Sequence, residues 1–336
     1  MRRSGLLFIL IIVIIHYVMI DDAMSAANKH KNSNKKTNMK GVYAHVTPNN
    51  TIRSIVNHPA FEGFGPLLLP WDNSAQYYDT PLYNVSSLLP YHNNVDPNLV
   101  VGAINHMIDA VNNGKTIFFD FYTELQKQKD SAKESTGLFF FRGKPGAPFA
   151  IVCPGGGFAY VGSLHEGFPH AVALSKKGYN AFVLKYRTGS ELKATEDLAA
   201  AISYIFNNAK MFEVGVDDYS LWGGSAGARM VGNIALNGTA YFGGHDLPKP
   251  RIVVIAYTGH TIFSENYPPT FITVSEDDGI VNVSMVDRRV ENMRGAGIEV
   301  EYRKYKNAGH GFGLGVGTDA EGWIEHAVRF WADHNK

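Results

Sequence analysis

The chain has 336 residues, 45% of them apolar, which suits one large α/β domain of roughly 200–250 residues plus an extension. Thirty-one Lys and Arg balance 31 Asp and Glu, arguing against an electrostatic grip on nucleic acid or on an anionic membrane surface. A single cysteine, Cys153, excludes an intramolecular disulfide and a Cys-based zinc site.

Arg2 and Arg3 precede an apolar run from Leu6 to Ile20, and Ala23 to Ala27 are small residues suited to cleavage. Residues 1–26 therefore read as a secretory signal peptide, directing the protein to the secretory pathway and outward. The other reading is a signal anchor, because Asp21, Asp22 and the lysines from Lys29 to Lys40 disfavour cleavage and transfer. Only an uncleaved segment would make the membrane a partner. Residues 27–40, mostly Lys, Asn, Ser and Thr, cannot bury a core and read as a solvated linker. The sequons at Asn49, Asn84, Asn237 and Asn282 permit glycans without implying them.

Residues 41–115 form an N-terminal extension. Its first half is rich in Pro and aromatics without a period and reads as loop packed on a surface. Its second half is a helix: Asp96 suits the N-cap, Pro97 the first helical position, and Val100, Val101, Ile104, Met107, Ile108 and Val111 share one face.

From residue 116 to 336 strands and helices alternate. Strands are predicted at Thr116–Tyr122, Gly137–Phe141, Phe149–Cys153, Ala181–Leu184, Tyr219–Trp222, Ile252–Ala256, Phe271–Val274 and Glu299–Tyr305. Helices are predicted at Glu166–Lys177, Ala194–Phe212, Ala226–Leu236, Val283–Arg294 and Ala320–His334. Short, continuous apolar runs suit parallel strands buried on both faces. The expected fold is α/β, a doubly wound, mostly parallel sheet flanked by helices, with its site beyond the carboxyl ends of strands.

Glycine is about a tenth of the chain, and two glycine clusters fall at strand ends. Gly223-Gly224-Ser225-Ala226-Gly227 follows a strand and opens a helix, so Ser225 must sit in a tight turn with its hydroxyl projecting. The bland reading is a serine N-cap. Cys153-Pro154-Gly155-Gly156-Gly157-Phe158 ends an earlier strand, and its glycines offer backbone N–H donors to a substrate oxygen. Neither the dinucleotide fingerprint nor the P-loop pattern is completed there.

A serine nucleophile needs a base, and the base an orienting carboxylate. His310 lies in the flexible Asn307–Gly313 loop, whereas His326 and His334 fall in the last helix pattern. Glu276, Asp277 and Asp278 follow the preceding strand, and Asp278 is favoured because Gly279-Ile280-Val281 follows it. Asp277 then faces solvent or caps the next helix. Outside this set, Arg187 reads as an ion-pair partner of Glu191 or Asp197, and Arg229 as the partner of a carboxylate. His165, Glu166 and His170 read as residues that cap or face a helix, or that line the pocket. Cys153 has no base placed for it.

These motifs, in this order from Phe149 to Trp331, resemble the α/β-hydrolase superfamily. Within it they look most like the small-ester branch of acetyl esterases, carbohydrate acetylesterases and dienelactone-hydrolase-like proteins. The resemblance implies Ser225 as nucleophile, His310 as base and Asp278 as its orienter. It also implies an oxyanion hole from the N–H groups of Gly156, Gly157 and Ala226, with no metal or cofactor required. Pro154 stands where many relatives carry a histidine, which removes no oxyanion donor. The expected activity is hydrolysis of short-acyl esters of small molecules or carbohydrates. An amidase or peptidase on the same residues, and an inactive binding protein of this fold, remain open.

Overall fold

A computed structural model describes residues 42–335; the expected signal segment and linker, 1–40, lie outside them. Eight strands form one sheet: β1 (Phe118–Phe119), β2 (Gly137–Phe141), β3 (Pro148–Cys153), β4 (Asn180–Lys185), β5 (Gly215–Gly224), β6 (Ile252–Ala256), β7 (Thr270–Ser275) and β8 (Val300–Tyr305). Their order is β1-β2-β4-β3-β5-β6-β7-β8, with β2 antiparallel to both β1 and β4 and every pair from β4 to β8 parallel. Nearly every residue of β2 to β4, β6 and β7 is buried, as expected where both faces are covered.

The chain moves outward from β3 to β4, then crosses back over β3 to β5. With right-handed crossovers, that reversal sends the connecting helices to opposite faces. Helix α4 (Phe168–Lys176) covers one face, backed by α2 (Pro97–Asn112) and α9 (Trp323–His334). Helices α5 (Glu191–Asn207), α7 (Ala226–Asn237) and α8 (Val283–Gly295) cover the other, and α5 and α7 pack together. The reversal leaves β3 and β5 as neighbours, Cys153 beside Gly223. Such a switch point, at the carboxyl ends of neighbouring strands, is where sites form in open α/β sheets.

Several elements differ from the sequence expectation. The extension's first half packs down as expected but is not all loop. It contains α1 (Ile52–Val56) and short 3₁₀ turns at Pro59–Phe61, Gly65–Leu68 and Leu82–Leu88. Ile52, Ile55, Phe61, Leu68, Leu69, Leu82, Val85 and Leu88 are fully buried. Each such side chain is worth about 1.5–3 kcal/mol when fully withdrawn from water. Turns opened by proline every few residues never run long enough to display a helical period, so the pattern read as irregular. The predicted strand Thr116–Tyr122 is only Phe118–Phe119, and it is followed by α3 (Glu124–Lys129). That helix starts with a capping box in which Thr123 and Gln126 satisfy each other's backbone N–H, a T-x-x-Q signal legible in the sequence. The expected helix Ala194–Phe212 breaks at Asn208 into α5 and α6 (Ala209–Phe212).

The extension docks on the sheet through polar as well as apolar contacts. The buried Lys185 ammonium, at the end of β4, donates to the carbonyls of Leu69 (2.9 Å) and Pro70 (3.0 Å). Phe64 stacks on Phe118 at 4.8 Å between ring centroids, and Trp71 packs on Tyr160 at 4.7 Å.

Candidate active site

Ser225 joins β5 to α7 with φ +49° and ψ −111°, a conformation that costs a non-glycine residue energy. The turn fits only because its neighbours lack side chains. A Cβ on Gly227 would lie 1.9 Å from the Cys153 carbonyl oxygen on the adjacent strand. Strand β5 and helix α7 therefore close against β3, and the serine hydroxyl is carried above the sheet.

His310 arrives on the loop after β8 and is 3% exposed. Its Nε2 lies 2.9 Å from Ser225 Oγ, and its Nδ1 lies 2.8 Å from Asp278 Oδ2. The Asp278 side chain is buried and its Oδ1 accepts the N–H groups of Ile280 (2.9 Å) and Val281 (2.8 Å). Those bonds aim the carboxylate at the imidazole. The arrangement fits an Nδ1–H donated to Asp278, leaving Nε2 to accept from the serine. Asp277 is exposed, as one reading had it, but it caps no helix; Asn282 does that. Its Oδ1 accepts from the Ser275 hydroxyl (2.5 Å) and from Gly309 N–H (2.8 Å), bracing the His310 loop. The Ser275 hydrogen bond above all holds its carboxyl below the ordinary range.

The glycine loop after β3 lies against this turn: a Cβ on Gly155 would be 3.0 Å from Ser225 Cβ. Gly156 and Gly157 have φ of +133° and +63°, and no acceptor among the described residues takes their N–H groups. Ala226 is the first residue of α7, so its N–H has no intrahelical partner either. Three donors thus remain for an oxygen beside Ser225 Oγ. The Gly155 N–H does not, because Glu166 Oε2 accepts it at 2.6 Å.

Glu166, His165 and His170 are buried beneath the loop, on and just after a π turn at Ser163–Gly167, and do not line an open pocket. Burial acts to raise the Glu166 carboxyl, but the facing His92 ring and the Gly155 N–H hold it well below its ordinary range. Burial lowers His165 to about 3 and His170 to about 4. The Arg187 guanidinium is buried against Asp197, with Asp130 and Glu196 at its rim, and Arg229 pairs with Glu191. Burial pushes the Cys153 thiol up, which removes its nucleophilic form.

Sequence reasoning missed the segment Tyr91–Asn94. Its residues touch the Gly157 loop, Glu166 and the His310 backbone. No motif announces it, and the only cue is the aromatic and polar Pro90-Tyr91-His92-Asn93-Asn94 run just before the α2 cap.

A family model described as BD-FAE matches residues 142–246. An acetylxylan esterase of Xylanibacter ruminicola is 23% identical over 208 residues, 53% of this chain and 43% of the relative. Endo-1,4-β-xylanase B of Butyrivibrio fibrisolvens is 26% identical over 217 residues, 52% of this chain and 34% of the relative. The matched region thus spans less than half the length of these curated relatives. Among solved structures, an α/β hydrolase from a Medee basin deep-sea metagenome library is similar at TM-score 0.51 and 22% identity. It covers 59% of this chain and 92% of its own. An acetyl ester-xyloside bifunctional hydrolase from Caldicellulosiruptor lactoaceticus is similar at TM-score 0.51 and 20% identity, covering 59% and 88%. Strand order, the strained serine turn and these likenesses give the described residues an α/β-hydrolase fold.

Proposed function

We propose that the protein is a serine hydrolase of short-acyl, acetyl-type carboxylic esters, with acylated carbohydrate as its substrate class. The observation that carries this reading is His310, hydrogen-bonded at once to the strained Ser225 and to a buried, backbone-anchored Asp278. The relatives named as acetylxylan esterase and acetyl ester-xyloside hydrolase support the choice of ester and leaving group.

In the mechanism, His310 Nε2 takes the Ser225 proton as Oγ attacks the ester carbonyl. The imidazolium is stabilised by Asp278, which stays ionised. Negative charge collects on the former carbonyl oxygen, where the N–H groups of Gly156, Gly157 and Ala226 receive it. Donors of this kind are worth about 10²–10³ in rate each. His310 returns the proton to the departing alcohol, leaving an acyl group on Ser225. Water, activated by the same imidazole, then releases the acid and restores the hydroxyl.

The test uses p-nitrophenyl acetate, acetylated xylo-oligosaccharide and a fluorophosphonate probe on the protein and on Ser225→Ala. Acetate release from both esters, with labelling that vanishes in the variant, is the expected result. Undiminished turnover by Ser225→Ala would overturn the reading. Faster cleavage of an aryl amide than of its matching ester would move it to an amidase.

A further inference from the structure

We propose that the extension supplies two positioning residues to the active site: Asn93, which sets the height of His310, and His92, which sets the oxyanion loop through Glu166. The proposal rests on the serine-hydrolase reading above and adds residues that no motif of the fold contains.

The His310 loop has little to hold it from within. Gly309, Gly311, Gly313 and Gly315 all have positive φ, so the backbone is built of residues with wide conformational freedom. Asn93, 217 positions earlier, closes a two-bond ring on the histidine's own peptide groups. Its Oδ1 accepts the His310 N–H at 3.0 Å, and its N–H donates to the His310 carbonyl at 2.9 Å. Asn94 Nδ2 adds a bond to the Ala308 carbonyl at 2.8 Å. The fit is close at both chain neighbours of His310: a Cβ on Gly309 would lie 2.8 Å from Asn93 Cγ, and one on Gly311 2.9 Å from the His92 ring. Ser275 and Asp277 hold the Ala308 and Gly309 N–H groups and Trp323 the Gly313 carbonyl, but the peptide groups of His310 itself are held by a segment outside the sheet and its helices.

The neighbouring His92 faces the other way. The Tyr160 hydroxyl accepts the Tyr91 N–H at 3.0 Å and so turns its own proton to His92 Nδ1, 2.9 Å away. That leaves the ring's hydrogen on Nε2, which stands 3.0 Å from Glu166 Oε1, a close polar contact rather than an aligned hydrogen bond. The other carboxylate oxygen holds the Gly155 N–H. One side chain of the extension thus braces, through one carboxylate, the peptide that precedes the Gly156 and Gly157 donors. Two consecutive residues reach both halves of the chemistry, base and oxyanion loop. A merely structural strap has no need to do so.

The experiment measures steady-state hydrolysis of p-nitrophenyl acetate by the full chain and by Asn93→Ala, Asn93→Asp, His92→Ala and His92→Gln. Endpoint titration with a fluorophosphonate normalises kcat to folded enzyme, and thermal melts are recorded beside it. Asn93→Ala is expected to lower kcat about 10–100-fold with KM unchanged, the scale of an ångström's displacement of a catalytic group. Asn93→Asp keeps the acceptor oxygen and should recover most of kcat. His92→Gln, which can present an N–H to Glu166, should likewise recover what His92→Ala loses. Wild-type kcat in Asn93→Ala overturns the proposal. So does an equal loss in Asn93→Ala and Asn93→Asp that simply follows their melting temperatures. Ser225→Ala in the same assay keeps the two questions apart, since only its behaviour bears on the serine-hydrolase reading.

Discussion

The Glu166 carboxylate accepts the Gly155 N–H at 2.6 Å while almost wholly withdrawn from solvent. A buried charge is tolerated only where it is paired and hydrogen-bonded, and here the pairing falls directly under the triple-glycine loop that follows β3. Glu166→Ala would leave the Gly155 donor and the His92 ring without their partner. It should cost about 3 kcal/mol of stability, read from urea unfolding midpoints. An unchanged midpoint would mean that the loop holds its shape without the carboxylate.

Asp277 and Asp278 are adjacent in sequence and opposite in consequence. Asp278 contacts the His310 ring, whereas Asp277 braces the loop from outside. Asp278→Asn should lower kcat by about 10⁴ by favouring the wrong imidazole tautomer. Asp277→Asn should leave kcat nearly as it was. Equal effects of the two changes on p-nitrophenyl acetate turnover would remove Asp278 from its assigned role.

Lys185 ties the extension to the end of β4. Lys185→Ala would strip the buried Leu69 and Pro70 carbonyls of their donor, at a cost of about 2–3 kcal/mol. The expected readout is faster limited proteolysis within residues 41–115, with the remainder of the chain cut no faster. Wild-type resistance there would assign the docking to the apolar contacts alone.

Acid should weaken the fold through the two histidines under the site. His165 and His170 titrate near 3 and 4 when folded, against 6.5 for a free histidine. Below about pH 6.5 the unfolded chain binds protons that the folded chain refuses, so stability falls as pH drops toward 4. Each site can add a slope of up to about 1.4 kcal/mol per pH unit. Glu166, held low, adds its own loss at still lower pH. Urea midpoints at pH 7.5 and pH 5 measure the slope, and His170→Phe should flatten it. A flat profile in the unaltered protein would show that these rings accept protons in the folded state.

The local patterns that were legible in the chain are those in which a few adjacent residues bear the whole constraint. The strand-Gly-Gly-Ser-Ala-Gly-helix turn, the triple-glycine loop after β3 and the Asp96-Pro97 helix start are of this kind, because each is dictated by backbone freedom or capping over a few positions. Alternation of short apolar runs with helical periods likewise carried the α/β architecture.

What the tertiary structure alone decided is which distant residues meet. Nothing near Asn93 says that its amide closes on the His310 peptide, and nothing near Glu166 says that His92 will face it. Such pairings follow from the reversal between β4 and β5, which sets β3 and β5 side by side, and from the docking of the extension against the loops that follow β3 and β8. Buried apolar turns without a period look the same in sequence as exposed loop, since burial belongs to the partner surface and not to the segment. The sequence by itself determined which residues are candidates for the chemistry, because each sits in a pattern of a few neighbours; the packing of the extension decided what holds them in place.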